Sequence, residues 1–361
     1  MEYQSRIDRA QAEMAQRGCD VLLLSAGLDM PYLTGYTVTP FERLTMFVLR
    51  TEGVPVLVVP ALEAPLVDRS DDLFELRPWD EAEDPTAIVA GLVGTPERAG
   101  IGDETWATFL LQLQHHLPAT QFVSATPVTR ELRMRKAPEE LARLRGAGAA
   151  VDRIVGMLKE TTFGGHKESD IATHLAEMLL QEGHAEASFT IIASGPNSAS
   201  PHHHPGDRVI IDGDSIVIDF GGPYERYFSD TSRSFHVGEP SSEVQDAFDV
   251  LFAAQADAVN AVRPGVTCES IDQVARKVID DAGYGEFFIH RTGHGIGLSV
   301  HEEPYIVRGN DMVLEASMTF SVEPGIYVLG RFGMRIEDIV AVTADGVENF
   351  NNSDHTLAIV G

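Results

Sequence analysis

The sequence predicts an α/β fold in two domains, and three observations support this assignment. Residues 1–125 alternate between apolar, strand-like runs and amphipathic, helix-like segments, an alternation that is typical of an α/β domain. Residues 139–361 follow a different order, in which two helices precede a set of strands and the whole order occurs twice. The length of 361 residues suits two domains of roughly 100–200 residues each.

Residues 1–125 are predicted to form the first domain. A polar amphipathic segment opens it, and apolar runs with strand-like patterning follow. The predicted helices are 3–17, 61–69 and 106–116, and the predicted strands are 21–24, 44–49 and 54–59.

The segment 126–138, TPVTRELRMRKAP, is basic and has a proline near either end. This change of composition predicts a linker between the domains. Pro138 is expected to open a helix, because proline is tolerated in the first helical turn. Apolar residues recur at helical spacing from Leu141 to Leu158.

The second predicted domain, 139–361, contains a faint internal duplication. Residues 139–237 and 241–345 each read as helix, helix and then strands, and the second helix of each half ends at a glycine, Gly183 or Gly283. A glycine is favoured there because it adopts the left-handed conformation that ends many helices. Two such halves facing one another would leave a cleft between their sheets.

The charge of the chain argues against several classes of partner. The net charge is −28, from 55 acidic and 27 basic side chains. Nucleic acids and anionic membranes both require a basic face, so neither is an expected partner.

Cysteine usage and the N-terminal residues predict a cytoplasmic protein. Cys19 and Cys268 are the two cysteines of the sequence, which is no disulfide framework and suits a reducing compartment. The first 18 residues lack the apolar stretch of a signal peptide, and no apolar run reaches the length of a membrane span.

The first group of candidate functional residues lies in the segment GDSIVIDFGGPYERYFSDTSRSF. Asp219 stands within a strand that is apolar on both faces, where a carboxylate is costly unless it is paired or bound to metal. A hairpin centred on residues 223–226 would place Asp219 opposite Asp230. Opposed carboxylates could hold a shared pair of metal ions, although either aspartate could instead cap a turn.

The second group lies in HRTGHGIGLSVHEEP. His290, His294 and His301 cluster beside two glutamates, and glycines flank His294. Glycine lets the backbone approach closely, and the cluster predicts metal or acid–base chemistry. The alternative is that the histidines are ordinary core or surface residues.

Two further strands, TFSVEPGIYV and GMRIEDIV, each carry one glutamate opposite an apolar face. Glu323 shares its face with Ser321 and Thr319, and Glu337 shares its face with Arg335. Either glutamate could be an exposed strand residue, but together the four carboxylates and His294 form a plausible ligand set.

These residues resemble the five-ligand pattern of the pita-bread metallopeptidases, which include methionine aminopeptidase, aminopeptidase P and the Xaa-Pro dipeptidases (prolidases). The shared words are VIDFGG, SDTSRSF, GHGIG, HEEP, EPGIY and RIED, in the family's order across roughly residues 140–345. Residues 1–125, with YLTGY, resemble the creatinase-type N-terminal domain of prolidases and aminopeptidase P. The resemblance implies an α/β (α+β) fold with a creatinase-like domain and a pita-bread catalytic domain built from a pseudo-two-fold repeat.

The resemblance also implies a dinuclear metal site. In the family, two divalent ions activate water between them, and the implied ligands here are Asp219, Asp230, His294, Glu323 and Glu337. Glu323 would also be the general base. Four carboxylates and one imidazole suit Mn²⁺ or Co²⁺, with Zn²⁺ possible.

Other residues acquire expected roles from the same resemblance. His202, in SGPNSASPHHHPGDR, would contact substrate near the scissile bond, whereas His203 and His204 are predicted to lie in an exposed loop. His301 would donate a hydrogen bond to the developing oxyanion. Arg335 could orient ligands or contact substrate, or could form a structural pair with a carboxylate.

The expected activity is hydrolysis of Xaa-Pro dipeptides, small peptides with proline at the second position. Arg335 or, more speculatively, Arg43 would bind the free carboxylate of the substrate. Members of the family form dimers, so Arg43 of one subunit could reach the other's cleft in a homodimer. The alternatives are an aminopeptidase P, which removes the residue before proline from longer peptides, a creatinase-like enzyme without metal and a non-catalytic binding protein with this fold.

Overall fold

The computed structural model describes residues 2–68 and 73–361. The chain divides into two compact units, which adjoin in sequence between Arg133 and Met134. This division gives the first unit the residues 126–133, which were predicted as part of a linker. They form a helix, and Val128, Thr129 and Leu132 on its inner face are buried.

The described residues of the first unit form a six-stranded sheet and several helices. The strand order is β4-β3-β2-β1-β5-β6, in which β2 is antiparallel to both β1 and β3 and the other pairs are parallel. The elements are α1 (Glu2–Arg17), β1 (Val21–Ser25), α2 (Asp29–Thr34), β2 (Met46–Arg50), β3 (Val56–Pro60), β4 (Glu75–Trp79), α3 (Pro85–Val93), β5 (Arg98–Ile101), α4 (Ala107–His116), β6 (Gln121–Ser124) and α5 (Thr126–Arg133).

The helix predicted at 61–69 is not present in the described residues. A short 3-10 turn, Ala64–Leu66, takes its place, and Arg69 lies outside the described residues. Pro65 would interrupt a helix at this point. Leu62 and Leu66 are 61% and 73% exposed, so the apolar periodicity of the segment does not face a core.

The second unit repeats an order of two helices followed by a sheet. The first half contains α6 (Pro138–Lys159), α7 (Glu168–Gln181), β7 (Phe189–Ser194), β8 (Ser215–Tyr224) and β9 (Tyr227–Val237). The second half contains α8 (Ser242–Ala261), α9 (Cys268–Asp281), β10 (Gly293–Gly295), β11 (Glu302–Ile306), β12 (Thr319–Val322), β13 (Gly325–Val328), β14 (Phe332–Arg335), β15 (Asp338–Val342) and β16 (Val347–Asn349), and β17 (Ala358–Val360) ends the chain. Short 3-10 turns occur at Gly195–Ala199 and Gly285–Phe287.

The second unit is built around two main sheets. The four-stranded sheet has the order β17-β9-β8-β7, and the five-stranded sheet has the order β11-β10-β12-β15-β16. An apolar cluster that includes Leu175, Ile218 and Phe235 packs in the first half. A second cluster, which includes Leu251, Ile271 and Phe320, packs in the second half. These findings confirm the predicted α/β fold class.

The two predicted glycine ends of the second helices are present. Gly183 and Gly283 follow α7 and α9 with φ values of 97° and 86°. Only glycine adopts such a conformation without strain, so both helices end where the sequence predicted.

The register of the β8–β9 hairpin differs from the predicted one. Asp219 lies opposite Ser232, and Asp230 lies opposite Gly221. The turn consists of Glu225 and Arg226, both with positive φ, as in the tight two-residue turns that match the twist of a hairpin. The turn therefore lies one residue later than predicted. Asp219 and Asp230 are diagonal neighbours on one face rather than directly opposed.

Among the described residues, no helix combines the length and the hydropathy needed to cross a bilayer.

Candidate active site

A cleft of about 580 Å³ in the second unit collects most of the predicted site residues. These are Asp219, Asp230, His294, Glu323, Glu337, His202, His301 and Arg335. They come from both halves of the unit, as expected for a site between two α/β halves. The two main sheets meet locally at an isolated β-bridge between Ser232 and Glu337.

Three of the predicted ligands form a group that could hold a metal ion. Ligand atoms of Asp230, His294 and Glu337 lie within 4.8 Å of one another, and all three residues are buried. Glu323 adjoins the group, because its Oε1 lies 3.2 Å from His294 Nε2. The fifth predicted ligand, Asp219, lines the same cleft.

The backbone around His294 is packed too closely for larger residues. A Cβ on Gly293 would lie 1.8 Å from Ser321 O, and one on Gly295 would lie 2.2 Å from Glu303 O. These two glycines let β10 approach its neighbours and bring His294 to the carboxylates. Close approach is therefore the reason for glycine here, as the GHG motif predicted.

His294 is held as a neutral imidazole with one nitrogen facing the carboxylates. Its Nδ1 lies 3.2 Å from Gly295 O, so Nδ1–H donates a hydrogen bond to that carbonyl and Nε2 keeps its lone pair. Burial, followed by the neighbouring charge of His301, lowers the pKa of His294 to about 3. A neutral ring with its second nitrogen fixed by a carbonyl is the arrangement that metal-binding histidines use.

The carboxylates of the site are crowded and buried, and this raises their pKa values. Burial first and then the charge of Glu337 raise the pKa of Asp230 well above its usual value. Burial and the charge of Glu323 do the same for Glu337. Burial, with a contribution from Asp219, raises the pKa of Glu323 to about 7. Like charges in one buried site cannot all ionise without a compensating cation.

Asp219 provides a second sign that a cation fits here. Its Oδ2 accepts a hydrogen bond of 2.6 Å from Arg335 Nη2. Its Oδ1 is buried and has no hydrogen-bond partner among the described residues. A buried oxygen without a partner is costly, and a metal ion would satisfy it. The donor set of oxygen atoms and one imidazole therefore fits a divalent cation.

Serine hydroxyls hold two carboxylates of the candidate site. Ser232 Oγ donates to Glu337 Oε2 over 2.8 Å. Ser321 Oγ donates to Glu323 Oε1 over 3.0 Å and accepts from the backbone N–H of His294 over the same distance. Each serine lies two residues from a predicted ligand, Asp230 or Glu323. That period of two was the signal that could have identified them in the sequence.

Arg335 pairs with a carboxylate of the candidate site, which was one of its expected roles. Its Nη2 binds Asp219 and its Nε donates to Ser232 Oγ over 2.8 Å. Its Nη1 donates to Tyr327 Oη over 2.7 Å. Arg335 is 3% exposed, and each guanidinium nitrogen has a partner in the structure.

The two predicted catalytic histidines, His202 and His301, are exposed and line the cleft. The rings of His301 and His294 pack edge to face, with centroids 4.2 Å apart. Partial burial, and then the charge of Arg291, lower the pKa of His301. His202 is exposed and lines the cleft.

The neighbours of His202 differ from each other. His204 is exposed, as predicted for both residues. The prediction is wrong for His203, which is half-buried and whose Nε2 lies 2.8 Å from the buried carboxylate of Glu168. Sequence alone could not show this pairing, because Glu168 lies 35 residues earlier.

Arg291 and Tyr327 were not singled out as site residues, and His290 was noted only as a member of the histidine cluster. His290 Nε2 lies 3.0 Å from Tyr327 Oη, and burial lowers the pKa of His290 to about 3. Arg291 lines the cleft and stacks on the ring of Tyr305 at 4.6 Å. The sequence did carry signals for these residues, because Arg291 adjoins the histidine cluster and Tyr327 ends the motif EPGIY.

Arg43 lies in the first unit, where two glutamates bind it. Its Nε lies 2.7 Å from Glu81 Oε1, and its Nη1 lies 2.7 Å from Glu42 Oε1. Its expected contact with a partner subunit's cleft stays a prediction.

Comparison with known proteins decides the family. Residues 142–344 match the sequence model of metallopeptidase family M24. The chain belongs to this family. Residues 6–135 match the creatinase/prolidase N-terminal domain. This confirms the resemblance seen in the sequence and identifies the chain as a metallopeptidase with a mixed α/β fold.

Whole-chain relatives of this M24 metallopeptidase include named peptidases. The probable dipeptidase PepE of Mycobacterium tuberculosis is 44% identical over 99% of this chain and 96% of its own length. The Xaa-Pro dipeptidase of Lactobacillus helveticus is 35% identical over 98% of each chain. The crystal structure of dipeptidase PepE from Mycobacterium ulcerans, 44% identical, superposes with a TM-score of 0.95 over 99% of this chain and 98% of the other.

Proposed function

We propose that the protein is an Xaa-Pro dipeptidase that works with two divalent metal ions. The observation that carries the proposal is the buried group of Asp230, His294 and Glu337, with Glu323 and Asp219 beside it, in a chain of family M24. The names of the relatives supply the substrate class, since the Lactobacillus helveticus protein is an Xaa-Pro dipeptidase.

The ligands would be Asp219, Asp230, His294, Glu323 and Glu337, and Mn²⁺ or Co²⁺ would suit this donor set, with Zn²⁺ as a further candidate. Divalent ions in such a site polarise the scissile carbonyl and make water acidic enough to act as a nucleophile near neutral pH. The unsatisfied Oδ1 of Asp219 and the raised pKa values of Asp230 and Glu337 support a bound cation.

Glu323 would take the proton from the attacking water. Its Oε1 accepts the hydrogen bond from Ser321, so its second oxygen would be available for the proton.

His202 and His301, the two exposed histidines of the cleft, would act on the substrate. His301 would donate a hydrogen bond to the carbonyl oxygen of the scissile bond, where negative charge develops. His202, which is exposed within the cleft, would contact the substrate near the leaving proline nitrogen.

A dipeptide also needs a partner for its free carboxylate. Arg335 is already held by Asp219, whereas Arg291 lines the cleft and has no ion pair with a carboxylate within residues 2–68 and 73–361. We therefore assign this role to Arg291, because a guanidinium binds a carboxylate with directed hydrogen bonds. Arg43 remains a speculative second candidate, in a homodimer that brings it to the partner's cleft.

A cytoplasmic location also belongs to the proposal. Cys19 and Cys268 are both buried and unpaired, which suits a reducing compartment.

Hydrolysis of Ala-Pro and Ala-Pro-Ala by chelator-treated protein, with and without added Mn²⁺ or Co²⁺, tests the proposal. We expect metal to restore cleavage of Ala-Pro and not of the tripeptide. Preferred cleavage of Ala-Pro-Ala would instead indicate an aminopeptidase P. Metal-loaded protein that cleaves neither peptide would contradict the proposal and favour a binding protein.

A further inference from the structure

The loop that carries His202 is tied down on both sides of that residue. Before His202, Pro201 O accepts a hydrogen bond of 3.4 Å from Arg335 Nη1. After it, the His203 backbone N–H donates to Ser200 O over 3.1 Å to close a turn. His202 is exposed in the cleft, while the His203 ring pairs with Glu168. The direction of His202 therefore depends on where these two neighbours are held.

His203 is held by Glu168, which stands in the first turn of α7 and is completely buried. His203 Nε2 donates to Glu168 Oε2 over 2.8 Å. The other donors to this carboxylate are the Ser194 N–H at 2.8 Å, Ser194 Oγ at 2.7 Å, Asn197 Nδ2 at 3.1 Å and the Gly206 N–H at 3.4 Å. One carboxylate thus binds the end of β7, the Gly195–Ala199 turn and two positions of the following loop.

The Glu168 carboxylate stays ionised in this environment. Burial raises its pKa, but the hydrogen bonds from Ser194 and His203 outweigh burial and leave the pKa lowered. A charged acceptor makes stronger hydrogen bonds than a neutral one, and a buried charge is costly when a donor is removed. Loss of the His203 ring would therefore disturb the loop more than loss of an ordinary surface histidine.

We propose that the Glu168–His203 pair is a positioning device for hydrolysis, which fixes the 200–206 loop so that His202 meets the substrate. The His203 ring pairs with Glu168 rather than with a proposed ligand, and it would act through His202. The inference rests on the proposed function, because the contact of His202 with substrate belongs to that proposed function.

A double-mutant cycle tests this relationship. We expect His203→Ala to lower kcat/KM for Ala-Pro by about 10- to 100-fold, the range that misplaced catalytic groups show. In the His202→Ala background the same substitution should change kcat/KM by less than about 2-fold, because coupled residues are not additive. His203→Gln, which keeps a side-chain N–H for Glu168, should recover most of the activity.

His116→Ala is the matched control, since His116 Nε2 lies 3.0 Å from the Asp84 carboxylate outside the cleft lining. It removes a histidine–carboxylate pair without touching the loop and should leave kcat/KM unchanged. Losses for His202→Ala and His203→Ala that multiply in the double variant would overturn the proposal. So would unchanged activity of His203→Ala.

An NMR measurement that does not depend on enzymatic activity separates this inference from the proposed function. In metal-free protein labelled at histidine, the NMR signal that disappears in His202→Ala identifies His202. We expect it to shift or broaden in His203→Ala and to keep its position in His203→Gln and His116→Ala. An unmoved signal in His203→Ala overturns the inference, even if the wild-type protein hydrolyses Ala-Pro. A moved signal in a protein that cleaves no Xaa-Pro peptide would leave the positioning intact and reject the proposed function.

Discussion

Arg335 and Asp219 form a buried ion pair inside the candidate metal site, with 2.6 Å between Nη2 and Oδ2. The pair joins β14 to β8 across 116 positions of sequence. It leaves the other oxygen of Asp219 buried without a partner among the described residues. Arg335 therefore holds the Asp219 carboxylate by Oδ2 and leaves Oδ1 available for a cation in the cleft that Asp219 lines.

Replacing Arg335 is expected to weaken metal binding. Arg335→Lys keeps the charge but loses the fork that reaches Asp219, Ser232 and Tyr327 together. Loss of such a partner typically lowers metal affinity or activity by about 10- to 100-fold. Titration of the chelator-treated protein with Mn²⁺ by calorimetry measures the effect.

Arg331→Lys is the control for that substitution, because Arg331 makes an exposed pair with Glu243. It should bind Mn²⁺ like the wild-type protein. If Arg335→Lys also binds Mn²⁺ with unchanged affinity, Asp219 does not depend on the arginine.

The metal-free protein should lose stability as pH rises above about 7. Burial raises the pKa of Glu323 from its usual 4.5 to about 7 in the folded state, and Asp230 and Glu337 also have raised pKa values. Where the folded state binds more protons than the unfolded state, the free energy of unfolding falls with increasing pH. The lowered pKa values of His290 and His294 act in the opposite direction, but only until the unfolded imidazoles become neutral above their usual pKa of 6.5.

Thermal unfolding of chelator-treated protein at pH 7 and pH 8.5, where the histidines contribute little, checks this expectation. The melting temperature should be lower at pH 8.5, by the equivalent of about 1 kcal/mol or more. Saturating Mn²⁺ should remove most of the difference, since a cation stabilises the ionised carboxylates. A metal-free melting temperature that rises from pH 7 to pH 8.5 would show that the pKa values of these carboxylates are not raised.

The sequence singled out the carboxylates that the structure brings into one cleft, but not their register. Asp219 and Asp230 were recognisable as carboxylates in apolar strands, which is a local property. Their relative position depends on which two residues form the turn, and Glu225 and Arg226 are not the usual glycine or asparagine. A shift of one residue in the turn moves each partner by two, which keeps the face and changes the neighbour.

Contacts between distant parts of the chain could not be predicted either, because they also depend on more than local sequence. Nothing local to His203 indicates a partner at Glu168, and nothing local to Arg335 selects Asp219 over other carboxylates. The helix predicted at 61–69 failed because apolar spacing describes a possible face, whereas burial depends on what the rest of the fold supplies.

The close approach of β10 makes Gly293 sensitive to a single methyl group. Gly293→Ala would place Cβ 1.8 Å from Ser321 O, so β10 or β12 must shift and His294 with it. We expect loss of Mn²⁺ binding and a fall in the free energy of unfolding of about 1–3 kcal/mol or more, as overpacking produces. Circular dichroism and calorimetry measure the two effects.

Gly156→Ala is the matched control, because nothing lies within 4 Å of its added Cβ and the residue is in α6. It should raise stability by about 0.5–1 kcal/mol, the usual gain from removing a helical glycine. A Gly293→Ala variant that binds Mn²⁺ as well as Gly156→Ala does would mean that β10 can relax.

A buried ion pair supports the loop between His294 and His301. Lys136 Nζ lies 2.6 Å from Glu302 Oε1, with side chains 1% and 8% exposed. Lys136→Met leaves the carboxylate without this buried partner, which typically costs about 3–5 kcal/mol. Chemical denaturation measures the loss in the free energy of unfolding. His301, which adjoins Glu302 in the sequence, should become less ordered in the same variant.

Lys277→Met is the corresponding exposed control, since the Lys277–Asp281 pair has side chains 73% and 67% exposed. Its loss should cost at most about 0.5 kcal/mol. Equal losses for the two variants would contradict a structural role for Lys136.

Arg291 is the residue on which the preference for dipeptides is expected to depend. It lines the cleft and stacks on Tyr305 rather than pairing with a carboxylate of the described chain. If it binds the free carboxylate of Ala-Pro, Arg291→Ala should raise KM for Ala-Pro by about 10-fold or more, since a charged hydrogen bond contributes about 1.5–3 kcal/mol. KM for Ala-Pro amide, which lacks that carboxylate, should change little. Arg331→Ala serves as the matched arginine control and should alter neither value. Equal increases for acid and amide would instead place Arg291 against the residue before proline.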